Sequence, residues 1–327
     1  MKKLYPLKFS PIYKEKIWGG NKLKKILNKN CDEQKDIGES WEISAHGDDI
    51  SIVSNGFLAE NNLNEITEIY MGDLVGDKIY ELYGNEFPLL IKFIDANDDL
   101  SIQVHPDNDY AEEHHQSKGK TEMWYIVQAG KDAELITGFS KELSKAEYVT
   151  ALNSGKLKDI LNVEKLSKGD SFFIPPGRVH AIGPNVLLAE IQQTSDLTYR
   201  IYDWGRLGND GKPRELHTKQ ALDVIDFKVY KSYKTDYKHQ LNKTSNILTC
   251  PYFTTNILEF DAPLDKDYNL IDSFVIYICI EGRFEIKYNK NDIEAVEYGE
   301  TILLPAALKN IRLIPQGKTK LLEVYIS

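Results

Sequence analysis

The chain has 327 residues, 42% hydrophobic and 28% charged, a balance that suits a globular protein with chain enough for about two domains. Forty basic against fifty acidic residues leave a net charge of −10, which argues against non-specific nucleic-acid binding but allows a local basic pocket for one small phosphate. The three cysteines, Cys31, Cys250 and Cys279, are too scattered for a disulfide framework or a metal motif, and a reducing cytoplasm suits them.

In chain order, the basic start Met1-Lys2-Lys3 runs into Pro6, Lys8 and Pro11, which breaks any signal-peptide core. Short helices are expected at 21–28 and 63–70, and a longer one at 144–161. There Ser144 and Glu147 have capping-box spacing, and Gly155 marks a break. Strands are expected at 40–45, 50–53, 89–94, 101–104, 122–127, 171–174, 186–192, 197–202, 274–280 and 301–304. The longest uncharged apolar run, 274–280, has seven residues. A membrane-spanning helix needs roughly 20, so no membrane span is expected. The Lys-rich run at 21–30 reads as a solvated helix face.

Gly/Pro punctuation exposes an internal repeat. Gly169, Asp170, a strand and Pro175 match Gly299, Glu300, a strand and Pro305. Each copy follows a strand that ends in a glycine, Gly130 or Gly282. Two related β-modules are therefore expected. The second copy has Asn310 where the first has His180, and Ala307 where the first has Gly177.

Four residues have the chemistry of metal ligands. Strand parity puts Gln103 and His105 on one face, and Lys120, Glu122 and Trp124 on one face. A carboxylate buried beside a Trp needs a charge partner. His180 follows the tight Pro175-Pro176-Gly177 turn. Two imidazoles, a carboxylate and an amide oxygen suit a divalent metal of the zinc type with room left for substrate. His46, His114, His115, His217 and His239 read as ordinary polar residues, with His114 and His115 in an exposed loop and His217 in a structural hydrogen bond.

Gly169, Pro175, Gly177 and His180 fit the second cupin motif, with its trailing Asn one place late at Asn185. The first cupin motif is altered to Gln103-x-His105 with Glu122 seventeen residues further on. The chain resembles the short bacterial form of type I mannose-6-phosphate isomerase. The resemblance rests on Gln103-Val104-His105-Pro106-Asp107 and Gly119-Lys120-Thr121-Glu122-Met123-Trp124-Tyr125. It extends through Pro175-Pro176-Gly177 with His180-Ala181 and the run from Gln193 to Trp204, and Trp18-Gly19-Gly20 and Gly38-Glu39-Ser40-Trp41-Glu42 match as well.

The resemblance implies a mainly β double cupin: two jelly-roll β-barrel modules with a small helical insertion. Residues 1–235 would form the metal-binding catalytic module, with the insertion near 141–165, and 236–327 a degenerate module without metal. It further implies one Zn2+ per chain on Gln103, His105, Glu122 and His180, and a small phosphorylated sugar as substrate. The family's Lys-x-Glu element falls on Lys120, and its Ser-Asp-x-x-x-Arg element on Ser195, Asp196 and Arg200. In a strand, Asp196, Thr198, Arg200 and Tyr202 would share one face.

Interconversion of mannose 6-phosphate and fructose 6-phosphate moves a proton between C1 and C2 through an enediol, so charge builds on O1 and O2. A metal and Arg200 suit that charge. Asp196, Lys120 and a metal-bound hydroxide are candidate bases; Lys120 qualifies only if its pKa is lowered, and is otherwise a binder of phosphate or hydroxyl. Ser101 and Lys92 are candidates for the phosphate pocket. A cupin dioxygenase with non-haem iron and a non-enzymatic sugar-binding double cupin are the alternative readings.

Overall fold

Runs of β-branched and aromatic residues between Gly, Pro, Asn and Asp clusters pack well on pleated surfaces, and they dictate a strand-rich architecture. The computed structural model describes residues 3–32, 34–208, 210–290 and 292–327; Met1 and Lys2 of the basic start lie outside them. The first barrel pairs two antiparallel sheets. Its large sheet runs Ser171–Ile174, Glu122–Ala129, Val186–Gln193, Leu89–Ala96, Ile37–Ile43 and Ile12–Gly20. Its small sheet runs Leu161–Lys165, Glu134–Phe139, His180–Ile182, Ile102–Val104 and Tyr199–Tyr202. Ile94, Trp124, Ile126, Leu135, Ile182 and Leu188 fill the space between them.

The second barrel repeats this order. Thr301–Leu304, Val275–Glu281, Thr319–Tyr325 and Thr254–Phe260 follow one another as their counterparts do in the first large sheet. Asp292–Val296, Phe284–Tyr288, Asn310–Pro315 and Leu264–Asp267 repeat the first small sheet. The Gly/Pro repeat thus marks a structural repeat, and the molecule is a double cupin. The chain also crosses between the two halves. Leu7–Ser10 pairs with Thr301–Leu304 (Leu7 opposite Leu303), and Ile52–Val53 pairs with Leu7–Ser10.

The two large sheets pack back to back. Ile91, Phe93, Met123 and Tyr125 of one meet Ile257, Ile276, Ile278 and Leu322 of the other in a single core. At roughly 1.5–3 kcal/mol per fully buried large apolar side chain, this layer is the main adhesive between the barrels. It also leaves Leu89–Ala96 and Val186–Gln193 buried on both faces.

The helices depart from expectation in detail. The helix expected at 21–28 shrinks to Lys22–Lys25, where Asp95 accepts from the Lys22 backbone N–H and its Nζ. The one expected at 144–161 becomes Lys145–Asn153, with the Ser144–Glu147 capping box formed, and a 3-10 turn Leu157–Ile160. Gly155 sits between them at φ +70°, a conformation that ends the helix. His114 and His115 are not in a loop. They close the helix Asn108–His115, capped by Asp107, and His115 Nε2 lies 2.6 Å from the Tyr199 hydroxyl. Ala111 is that helix's only buried residue, so the sequence carries no apolar stripe to announce it. No helix among the described residues is long and apolar enough to cross a membrane.

Candidate metal centre

The cluster forms where the two sheets of the first barrel face each other. His180 opens its strand directly opposite Gln103, and Glu122 opens a strand of the other sheet. His105 follows the strand Ile102–Val104, and its carbonyl accepts from the Gly177 N–H at 2.9 Å. Gly177 holds φ +81°, and a Cβ there would lie 2.8 Å from the Val224 carbonyl, so the turn that delivers His180 needs glycine.

His105, Glu122 and His180 are buried, and their ligand atoms lie within 4.8 Å of one another. His105 Nε2 is 3.6 Å from Glu122 Oε2, and His180 Nε2 is 3.3 Å from Glu122 Oε1. Each imidazole places Nδ1 against a backbone carbonyl, Leu197 for His105 at 3.0 Å and Arg178 for His180 at 2.8 Å. A carbonyl only accepts, so Nδ1 carries the hydrogen and Nε2 keeps its lone pair towards the centre. Burial, with Lys120 adding to it, lowers the His105 pKa; burial opposed by Glu122 pushes His180 down to about 3. Both rings are therefore neutral near pH 7. Burial works against the Glu122 carboxylate, but Lys120 and His105 outweigh it and hold its pKa well below the usual range.

His105 Nε2 and Glu122 Oε1 are buried without a hydrogen-bond partner, and Glu122 Oε2 meets the Lys120 ammonium. Orphaned acceptors at this depth carry a large desolvation cost, and a cation among them would remove it. Two imidazole nitrogens and a carboxylate fit a divalent metal. Gln103 adjoins the cluster with its amide nitrogen 3.2 Å from His180 Nε2, so service as an oxygen ligand requires its amide to turn over.

Beside the cluster lies a cavity of about 230 Å³. Ser101, Gln103, Lys92, Lys120, Asp196 and Arg200 all line it. Lys120 Nζ lies 2.8 Å from Glu122 Oε2. Burial opposes the charge on Lys120, but Glu122, Glu190 and Asp196 outweigh it and raise the pKa. The lowered pKa that a neutral amine base requires is therefore absent. The Asp196 side chain is half exposed; partial desolvation at the cavity wall opposes its charge, and Lys92 and Lys120 outweigh it and pull its pKa below the ordinary value. Arg200 donates Nη1–H to the Glu215 carbonyl at 3.0 Å, while its Nε is buried without a partner.

The strand expected at 197–202 is shorter, Tyr199–Tyr202, with a register shift between Arg200 and Tyr202. Asp196 and Thr198 precede it, so a turn rather than strand parity brings Asp196 beside Arg200. That turn is held by Ser195 Oγ, which donates to the Lys118 carbonyl at 2.8 Å, and by Gln192 Nε2, which donates to the Ser195 carbonyl at 2.5 Å. Ser195 does not line the cavity.

Sequence reasoning missed Glu190, Lys16, Glu39 and Arg214, which also line the cavity. Glu190 accepts from Trp124 Nε1 at 2.9 Å and lies 3.2 Å from Lys92 Nζ, its direct cross-strand partner. A lone Glu and a lone Lys in two apolar runs were the available signal. His217, expected only as a structural hydrogen bonder, does accept from the Arg200 N–H at 3.2 Å, but it also lines the cavity.

Residues 6–145 match the family model for the phosphomannose isomerase type I catalytic domain. The mannose-6-phosphate isomerase ManA of Bacillus subtilis is 36% identical over 313 residues, 94% of this chain and 95% of that protein. This chain belongs to the type I phosphomannose isomerase family. The mannose-6-phosphate isomerase of Streptococcus mutans is 34% identical over 93% of this chain and 94% of its own. The crystal structure of the mannose 6-phosphate isomerase from Bacillus subtilis superimposes with a TM-score of 0.89 at 33% identity, covering 99% of this chain and 100% of that one. A phosphomannose isomerase from Salmonella typhimurium shares the fold at a TM-score of 0.80 and 16% identity. The matched family segment supplies Gln103, His105, Lys120 and Glu122, whereas His180, Asp196 and Arg200 come from the chain beyond it.

Proposed function

We infer that this protein interconverts D-mannose 6-phosphate and D-fructose 6-phosphate, with zinc held by His105, Glu122, His180 and, after its amide turns, Gln103. The observation that carries the reading is the set of orphaned, buried ligand atoms under a cationic cavity, in a chain of this family. The relatives' names give no support to a dioxygenase or a non-enzymatic sugar binder. Neutral imidazoles with a carboxylate favour zinc among divalent ions, and a zinc ion there supplies Lewis-acid polarisation to the sugar's carbonyl.

The remaining chemistry belongs to the chain. Arg200 directs an unpartnered guanidinium edge at the site, a preorganised donor for the negative charge that develops on the enediolate oxygens. Asp196, ionised and beside Lys92 and Lys120, is the group placed to move the proton between C1 and C2, while Lys120, held protonated, binds a sugar or phosphate oxygen. Lys92, held by Glu190, and Ser101 bind hydroxyl or phosphate oxygens. Residues 1–235 act as the catalytic module and 236–327 as a degenerate one without metal. In the second barrel, Tyr268, Asn256 and Lys266 already engage both oxygens of the buried Glu323 carboxylate.

The test is to incubate the purified protein with fructose 6-phosphate in heavy water. Mannose 6-phosphate carrying deuterium at C1 or C2 is expected. Failure to form mannose 6-phosphate would overturn the reading.

A further inference from the structure

Between the helix Thr218–Val224 and the first strand of the second barrel, Lys243–Thr249, residues 225–237 carry no helix or strand of their own. Backbone groups outside such elements must find partners in a neighbour or in water. Here the neighbour is the stretch 169–178, which leads into His180. The Tyr237 hydroxyl donates to the Gly169 carbonyl at 2.6 Å, Lys234 Nζ donates to Asp170 Oδ2 at 2.7 Å, and the Thr235 N–H donates to the Ser171 carbonyl at 2.8 Å. At the far end the Asp226 N–H donates to the Gly177 carbonyl at 2.8 Å. The segment thus runs antiparallel to the chain that delivers His180 and is tied to it at both ends.

Arg178 is the residue it grips. Arg178 is only 6% exposed, and it makes no ion pair among the described residues. Its guanidinium carbon lies 4.3 Å from the centroid of the Tyr230 ring and 4.8 Å from that of Tyr233. The faces of aromatic rings attract a cation, and more strongly where water is excluded. Tyr233 is itself fixed. Its hydroxyl donates to the Phe139 carbonyl at 2.9 Å and accepts from the Phe139 N–H at 3.2 Å. Its ring lies against Gly138, where a Cβ would stand 2.3 Å from a ring carbon. Phe139 and Gly138 belong to the strand whose Thr137 pairs with His180. The Arg178 carbonyl, in turn, accepts from His180 Nδ1–H at 2.8 Å. The two rings therefore hold the side chain of the residue whose carbonyl sets the direction of the imidazole.

The second barrel has the same turn without this arrangement. The count that sets Asn310 against His180 sets Leu308 against Arg178. That turn is tied through its backbone, with the Ala306 and Ala307 N–H groups donating to the Leu74 and Asp73 carbonyls. The imidazole and the gripped arginine are absent together.

We propose that residues 225–237 are an outer clamp on the metal centre, and that Arg178, gripped by Tyr230 and Tyr233, is a positioning residue that aims His180 Nε2 and so sets how tightly zinc is kept. Partners that orient a metal-ligating histidine commonly change metal affinity by about 10–100-fold.

This inference rests on the reading of His180 as a zinc ligand, and the test lets the two fail separately. Zinc release from the loaded protein into excess chelator is followed optically, beside the visible spectrum of the cobalt-loaded protein and the urea midpoint of each variant. Arg178→Ala is expected to release zinc about tenfold faster or more, and its cobalt spectrum should differ from that of the wild type. Arg178→Lys, which keeps a cation over the rings, should recover part of the retention. Tyr230 is 41% exposed, so Tyr230→Ala should fold, and it should speed release by about threefold. Glu323→Ala, which acts on the second barrel, should release zinc at the wild-type rate despite a lower urea midpoint. Wild-type release rates in both Arg178→Ala and Tyr230→Ala would overturn the proposal. So would an equal acceleration in Glu323→Ala, which would assign the effect to global stability. Wild-type zinc retention in His180→Ala would refute the ligand reading itself, and the clamp with it.

Discussion

Arg200 lines the cavity without a carboxylate in ion-pair contact among the described residues, and its Nε has no hydrogen-bond partner. A guanidinium held this way does little for the folded state and much for a developing anion. Arg200→Ala should lower kcat by about 10²-fold or more, the usual loss for one preorganised donor, with metal content and thermal midpoint unchanged. Loss of metal in that variant would contradict the assigned role. The clustered residues His105, Glu122 and His180 are legible in the sequence because each stands beside punctuation that fixes the local backbone: Pro106, Gly119 and Pro175-Pro176-Gly177. Glu190 and Arg214 are not. Glu190 looks like one polar residue in a buried strand until the register sets it opposite Lys92. Arg214 gains its place through Asp203, across irregular chain whose path no periodicity reports.

Along the strands, the repeat extends to individual positions. In the first barrel Glu190 lies between Lys92 and Trp124 in register, and in the second Glu323 lies between Asn256 and Tyr277. Both carboxylates are buried. The first accepts from Trp124 and pairs with Lys92 beside an open cavity. The second accepts from Tyr268 at 2.6 Å and Asn256 at 3.0 Å and pairs with Lys266 at 2.6 Å, and Tyr268 in turn meets the Tyr277 hydroxyl. In the second barrel the buried carboxylate is thus engaged by neighbouring side chains of the same barrel. Glu323→Ala would strand those partners and should destabilise the protein by about 3 kcal/mol, the scale of breaking a buried pair, read from the urea midpoint. Metal content should not change; an unshifted midpoint would contradict the network's role. These inward polar groups also explain why Thr254–Phe260 and Thr319–Tyr325 are hard to read as strands. Asn256 and Glu323 interrupt their apolar pattern, whereas residues 274–280 have no such interruption.

At the scale of the molecule, the sequence makes the two-module plan legible through repeated Gly, acid and Pro positions. It hides the way the modules are joined. The pairing of Leu7–Ser10 with Thr301–Leu304 depends on a partner almost the whole chain away, and the back-to-back packing of the large sheets removes the alternation that marks a half-buried strand. The His105, Glu122 and His180 cluster lies in the first barrel. The most direct test of this account is metal stoichiometry measured together with turnover. The wild-type protein should hold one tightly bound zinc per chain, and His180→Ala should hold close to none. Chelation should abolish fructose 6-phosphate isomerisation, and added zinc should restore it. Full turnover by rigorously metal-free protein would contradict the central claim.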